Sequence, residues 1–130
     1  MRWTRNTNRM NTYRIGLKGE NKAAEYVEKN GISIISRNYR SRKGEIDLIG
    51  TDGPVIIFFE VKTISSNDFD TIEYLIDRKK QERIIMVARE FLFKNKKYNS
   101  MLIRFDILYI NNEKDEIRHI KNAFFEGGVA

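Results

Sequence analysis

The run Val55–Lys62 limits what this chain can fold into more than any other segment. Rich in Ile, Val and Phe, it reads as a strand, yet it carries Glu60 and Lys62 near its end. Residues two apart on a strand share a face, so Glu60 and Lys62 point to one side while Phe59 and Val61 point to the other. A charged pair thus interrupts a strongly apolar strand, and the fold has to accommodate it.

Hydrophobic spacing sets out the neighbouring elements. Leu17, Ala24 and Val27 fall at helical intervals between about Tyr13 and Lys29, with Gly31 after them as a stop signal. Ser33 to Arg40 and Glu45 to Ile49 read as two further strands. Gly44 separates them, and Thr51-Asp52-Gly53-Pro54 joins the second to Val55–Lys62 as a hairpin. Ile72, Leu75, Ile76, Ile84, Val87, Ala88 and Phe91 form one helical stripe from Thr71 to Phe93. Leu102 to Ile110 reads as a buried strand. Glu116 to Ile120, after the turn-prone Asn111-Asn112, reads as a short edge strand before a tail ending in Gly127-Gly128. The order α-β-β-β-α-β-β implies an α/β fold with a mixed central sheet and helices packed on its faces.

The chain has 130 residues, 41% of them hydrophobic, which is material for one core and not for two. A single domain over 1–130 is expected, with residues 1–12 as a flexible basic arm. There is no cysteine and only one histidine, His119, so a disulfide framework and a Cys/His zinc site are both excluded. Any metal must be held by oxygen, and His119 reads as structural. The N-terminus lacks the apolar core of a signal peptide and no run is long enough to cross a bilayer, so the expected location is cytoplasmic, with no membrane partner.

If the hairpin closes symmetrically about Gly53-Pro54, Asp47 lies opposite Glu60 and Glu45 opposite Lys62, with Cα atoms roughly 5 Å apart. Directly opposed carboxylates repel, and such an arrangement persists most easily when a cation neutralises it. The plainer alternative is a Glu45–Lys62 salt bridge with Asp47 facing solvent. Oxygen ligands alone suit a hard ion, Mg²⁺ or Mn²⁺, which keeps several waters and bridges readily to phosphate. That is the chemistry of phosphodiester cleavage, in which Lys62 would orient or deprotonate the attacking water.

Two more charges fall on apolar stripes. Glu20 lies between Leu17 and Ala24, either as a first-turn acid stabilised by the helix dipole or as a carboxylate aimed at a cleft. Lys80 lies between Ile76 and Ile84, where a long stem snorkels or its ammonium reaches a phosphate. The segment Arg78–Lys97 holds eight basic residues and two acidic ones, and the chain as a whole carries a net charge of +6. Such clusters fit sequence-independent phosphate contacts as well as they fit a solvated helix face. Arg40, Lys79, Lys80 and Arg83 are the candidate nucleic-acid contacts.

Gly19-Glu20 with Ala23-Ala24, Arg37-Asn38-Tyr39-Arg40, Gly44-Glu45-Ile46-Asp47-Leu48-Ile49 and Phe59-Glu60-Val61-Lys62-Thr63 occur in order. Lys80-Gln81, Ala88, Arg104-Phe105-Asp106 and Asn122-Ala123-Phe124 follow them. Over roughly residues 13 to 125 this pattern resembles the YraN-like family of uncharacterised bacterial proteins. That family is similar to the PD-(D/E)xK nucleases and archaeal Holliday-junction resolvases. The resemblance implies a restriction-endonuclease-like αβββαβ core. It also implies Asp47, Glu60 and the backbone carbonyl of Val61 as metal ligands, Lys62 as a catalytic residue, Glu20 as an accessory acid and Gln81 near the site. Ile64, Asp70 and Leu17 depart from the family's usual residues, which bears on substrate contacts more than on the metal centre.

Two functions follow as expectations, ahead of a third reading as a protein-interaction or structural domain with an incidental acidic cluster. One is a Mg²⁺-dependent endonuclease hydrolysing phosphodiester bonds in DNA, favoured over RNA, in branched or single-stranded form. The other is a non-catalytic nucleic-acid-binding module that keeps the nuclease fold. A homodimer is expected by analogy with resolvases alone.

Overall fold

The computed structural model describes residues 18–64, 76–126 and 128–129. The expected basic arm, the start of the first helix at Tyr13, the stripe residues Ile72 and Leu75, Asp70 and Gly127 lie outside the described residues.

A helix over 18–29 (α1) leads the described chain. It is followed by β1 (Ser33–Ser41), β2 (Gly44–Asp52) and β3 (Val55–Ile64), then α2 (Arg78–Lys94) and a 3-10 turn (Lys96–Tyr98). The chain closes with β4 (Leu102–Asn111), β5 (Glu116–Phe125) and the two-residue β6 (Gly128–Val129). The strands form one sheet in the order β1-β2-β3-β4-β5-β6. Every neighbouring pair is antiparallel except β3 and β4, which run parallel from Val55 beside Leu102 to Ile64 beside Asn111. Parallel strands need a crossover, and α2 lies on it. This is the mixed α/β fold that the sequence implies, and it is consistent with a restriction-endonuclease-like core.

The alternation of β3 divides the core in two. Ile56 and Phe58 pack under α2 with Ile84, Val87, Ala88 and Phe91, whereas Ile57 and Phe59 pack under α1 with Ala23, Ala24 and Val27. Both faces of β3 are covered, which is why its apolar run is nearly continuous. Burying each such side chain stabilises by about 1.5–3 kcal/mol. Gly50 of β2 sits where chain passes close to chain: a Cβ there would lie 2.6 Å from Ile32 Cγ2 and 3.1 Å from the Ser33 carbonyl oxygen. Gly50→Ala is therefore expected to destabilise by about 1–3 kcal/mol, read as a lower midpoint in urea with an unchanged slope. A variant as stable as the parent would show that β1 can give way at this point.

Two elements differ from their sequence-based bounds. The second helix begins at Arg78, not Thr71, because Asp77 is extended (φ −64°, ψ 162°) and its carboxylate accepts the Lys80 N–H at 2.9 Å. It caps the helix, so Ile76 belongs to the core ahead of it. The fifth strand continues past Ile120 to Phe125. Asn122 there takes a left-handed φ of 52°. It swings Ala123 and Phe124 into the α2-side core, where Phe124 stacks on Phe105 at 5.1 Å between ring centres.

Asn38 does the same in β1, with φ 53°. Tyr39 beyond it packs on Phe91 in the α2-side core, whereas Arg37 before it donates to Asn21 of α1 at 2.8 Å. Residues two apart thus lie on opposite faces. Their partners follow: Leu48, opposite Arg37, is in the α1-side core and Ile46, opposite Tyr39, is in the other. The face exchange in β2 falls on the residue between them, Asp47.

Candidate metal centre

Asp47 stands where the β2–β3 ladder ends. Paired residues run from Asp52 opposite Val55 to Leu48 opposite Phe59. One further step would set Asp47 against Glu60, as the symmetric hairpin requires. Instead of a main-chain carbonyl of β2, the Asp47 carboxylate accepts the Val61 N–H, Oδ2 to N at 2.7 Å. The two strands part here, and the carboxylate fills the ladder position. In a strand the N–H and C=O of one residue project from the same edge, so the Val61 carbonyl is directed toward this same gap.

Glu60 faces the α2 side of the sheet and is buried, its side chain only 7% exposed. Its Oε1 is held by the ammonium of Lys80 at 2.6 Å. Lys80 is therefore not a snorkelling surface residue; the first turn of α2 delivers it to the carboxylate. Glu45 does not meet Lys62. It lies opposite Arg40 on the other side of β2, with Arg40 Nε 3.7 Å from Glu45 Oε2.

These side chains line a cleft of about 300 Å³ in which Glu45, Asp47 and Glu60 face Lys43, Lys80 and Arg83. Lys43 is one of several basic residues in the sequence, and its place here is set by the two-residue β1–β2 turn, Arg42-Lys43, closed by Ser41 opposite Gly44. Arg40 and Lys79 are exposed outside that lining, Lys62 is half-buried further along β3, and Glu20 is half-buried on α1. Glu20 still acts on the centre, because its charge helps to raise the pKa of Asp47. Gln81 is buried beside the cleft, its amide donating to the Ile76 carbonyl at 2.7 Å. It braces the start of α2, which positions Lys80. Among the described residues no group of three or more His, Asp or Glu side chains gathers closely enough to hold a metal by side chains alone. A cation at this point would draw on Asp47, Glu60 and the Val61 carbonyl, with water completing its shell, a donor set of hard oxygens.

The family model described as "Uncharacterised protein family UPF0102" matches residues 19–110. The chain belongs to this family. The matched span runs from Gly19 to Ile110 and includes Glu20, Asp47, Glu60, Lys62 and Lys80. A UPF0102 protein of Treponema denticola is 39% identical over 122 residues, covering 85% of this chain and 94% of its own length. One from Persephonella marina is 43% identical over 109 residues, covering 84% and 91%. Another from Clostridium perfringens is 39% identical over 114 residues, covering 85% and 93%.

Electrostatics mark Asp47 as the unusual acid of this UPF0102 chain. Burial, then the charge of Glu60, raise its pKa from 3.8 to about 7, against the lowering effect of the Val61 N–H; Glu20 and Glu45 raise it further. The folded protein thus keeps this proton up to about pH 7, while the unfolded chain releases it near 3.8. The native state binds more protons between those values, so stability falls as pH rises through that window. Asp47→Asn keeps an acceptor for Val61 and removes the charge. It is expected to gain about 2 kcal/mol over the parent at pH 8 and little at pH 4, with no metal present. Urea unfolding at both pH values tests this, and parallel curves for the two proteins would contradict it.

No helix among the described residues is long and apolar enough to cross a membrane. His119 is structural, as its isolation in the sequence implies. Its Nε2 lies 2.6 Å from Asp106 Oδ2 and its Nδ1 3.1 Å from the Tyr26 hydroxyl, beneath α1 and away from the cleft.

Proposed function

We propose that this protein is a divalent-metal-dependent nuclease acting on DNA, with Asp47, Glu60 and the Val61 carbonyl as its metal-binding set. The crowding of two carboxylates at the parted end of the β2–β3 ladder carries this reading. Burial, and after it the charge of Glu60, pushes the Asp47 pKa up, and the repulsion between the two carboxylates is what a hard cation relieves. Bound there, Mg²⁺ or Mn²⁺ supplies electrophilic polarisation of a phosphoryl group.

The chain's own residues have distinct tasks. Asp47 and Glu60 offer carboxylate oxygens not already taken by the Val61 N–H and by Lys80. Lys43 and Arg83 line the same cleft and would hold phosphate by charge-assisted hydrogen bonds. Lys62, on the strand that bears Glu60, orients the attacking water, and Glu20 adjusts the charge at Asp47. The exposed Arg40 and Lys79 extend the phosphate contacts beyond the cleft.

The test is incubation with labelled single-stranded, duplex and four-way-junction DNA, and with RNA, under Mg²⁺, Mn²⁺ or EDTA. Cutting that needs metal and spares RNA is the expected result; no cutting of any substrate under either ion would reject the nuclease. A second reading has one observation in its favour: Glu60 already has a cation in Lys80. It is a nucleic-acid-binding module without turnover. It would bind DNA with a steep salt dependence that Lys79→Gln and Arg83→Gln make shallower, and metal would add no cleavage.

A further inference from the structure

Helix α2 opens with Arg78, Lys79 and Lys80 and has no acidic residue in its first turn. Cations at a helix N-terminus work against the helix dipole; Arg78 is offset by Glu82 of its own helix at 3.7 Å, whereas Lys80 finds its partner outside the helix. Lys80 has a specific partner. Its ammonium is 2.6 Å from Glu60 Oε1, on a carboxylate 7% exposed, while its own side chain remains 39% exposed. The pair is asymmetric: the carboxylate is committed to the interior, and the lysine has an open path to solvent and to the cleft shared with Lys43 and Arg83.

We propose that Lys80 is a built-in counter-ion for Glu60, which a divalent cation displaces, and that the released ammonium then binds a phosphate oxygen of the nucleic acid. This rests on the metal-binding role given above to Asp47 and Glu60. A buried carboxylate left alone is costly, so the protein needs a cation at Glu60 whether or not metal is present. Lys80 supplies it in the metal-free protein. A divalent ion supplies it afterwards, and Lys80 becomes a third cation beside Lys43 and Arg83. Metal binding and phosphate binding are then linked through one side chain, each favouring the other.

Mn²⁺ is titrated calorimetrically, without nucleic acid, into the full-length parent, Lys80→Gln and Lys80→Arg. Glutamine keeps a donor for Glu60 without the charge, and arginine keeps the charge. Lys80→Gln is expected to bind Mn²⁺ about tenfold more tightly than the parent, and Lys80→Arg within about threefold of it. With Ca²⁺ present, Lys80→Gln should weaken binding of a labelled oligonucleotide by about fivefold, and in EDTA by less than about twofold. Arg83→Gln weakens it in both. Equal or weaker Mn²⁺ affinity in folded Lys80→Gln overturns the counter-ion role and leaves the metal site standing. Failure of all three proteins to bind Mn²⁺ overturns both. A measurement on the parent alone covers the case of a variant that does not fold: the Lys80 side-chain resonances should shift as Mg²⁺ saturates the site, and unmoved resonances overturn the proposal.

Discussion

On the nuclease reading, Glu60→Gln is expected to reduce metal-dependent cleavage of DNA by about a thousandfold or more, while DNA affinity in EDTA is kept or rises by up to about fivefold, because the Lys80 ammonium is then free to reach phosphate. Glutamine fits the volume of the buried glutamate, so packing under α2 survives. What is lost is one of the two formal charges that would hold the ion, at a point where burial makes that charge difficult to replace with water. Asp47→Asn should have a similar effect, and the double variant should be no worse than either single one, because the two carboxylates act as a unit. Initial rates at saturating Mg²⁺, beside filter binding in EDTA, make the comparison. Cleavage within tenfold of the parent in both single variants would remove the carboxylate pair from the mechanism.

The largest effect on stability lies on the opposite face. Asp106 is fully buried and accepts four hydrogen bonds: from Arg104 Nε at 2.8 Å and Nη2 at 2.9 Å, from His119 Nε2 at 2.6 Å, and from the Asn122 N–H at 2.9 Å. Asp106→Ala leaves those donors without their acceptor and is expected to cost about 3–5 kcal/mol. For a chain of this length that lowers Tm by about 10–20 °C. Burial alone would raise the Asp106 pKa, but the bonds from His119 and Arg104 outweigh it and hold the carboxyl below 3.8. Its contribution is therefore present above that value and lost as pH falls through the lower folded value. The parent should lose stability on the acid side where Asp106→Asn does not. Calorimetric scans from pH 3 to pH 7 would show this, and a loss under about 1 kcal/mol for the alanine variant at neutral pH would mean the cluster is not a structural lock.

Much of this architecture is legible in the sequence alone, and the reasons differ by element. β3 announced itself because both its faces are covered, and the hairpin register followed from its turn. Lys80 stood out by helical phase alone, as a charge on an apolar stripe. Hydrophobic spacing sets the start of α2 too early because Ile76 continues that stripe in spacing though not in conformation; Asp77, a capping residue one place further on, is the signal that marks the true start. Asn38 and Asn122 lay inside quoted motifs, but nothing in hydrophobic alternation marks a left-handed residue within a strand. Their face exchanges explain why Glu45 meets Arg40 and not Lys62, and why β5 outruns its alternating segment. The cleft's third basic wall residue, Lys43, depends on a turn and a helix closing over it, which no local pattern encodes.

The sheet's one parallel pairing also orders events along the folding path. A two-residue turn brings the ends of β2 and β3 together, a closure of short loops and small entropy. Lys80 reaches the same place only with the crossover between β3 and β4, a contact of much longer range and slower formation. The acids are therefore expected to meet before their counter-ion arrives. During that interval the nascent hairpin bears the repulsion between its two carboxylates without the ammonium that later offsets it at Glu60, so protons or divalent ions in the surrounding medium would favour its closure.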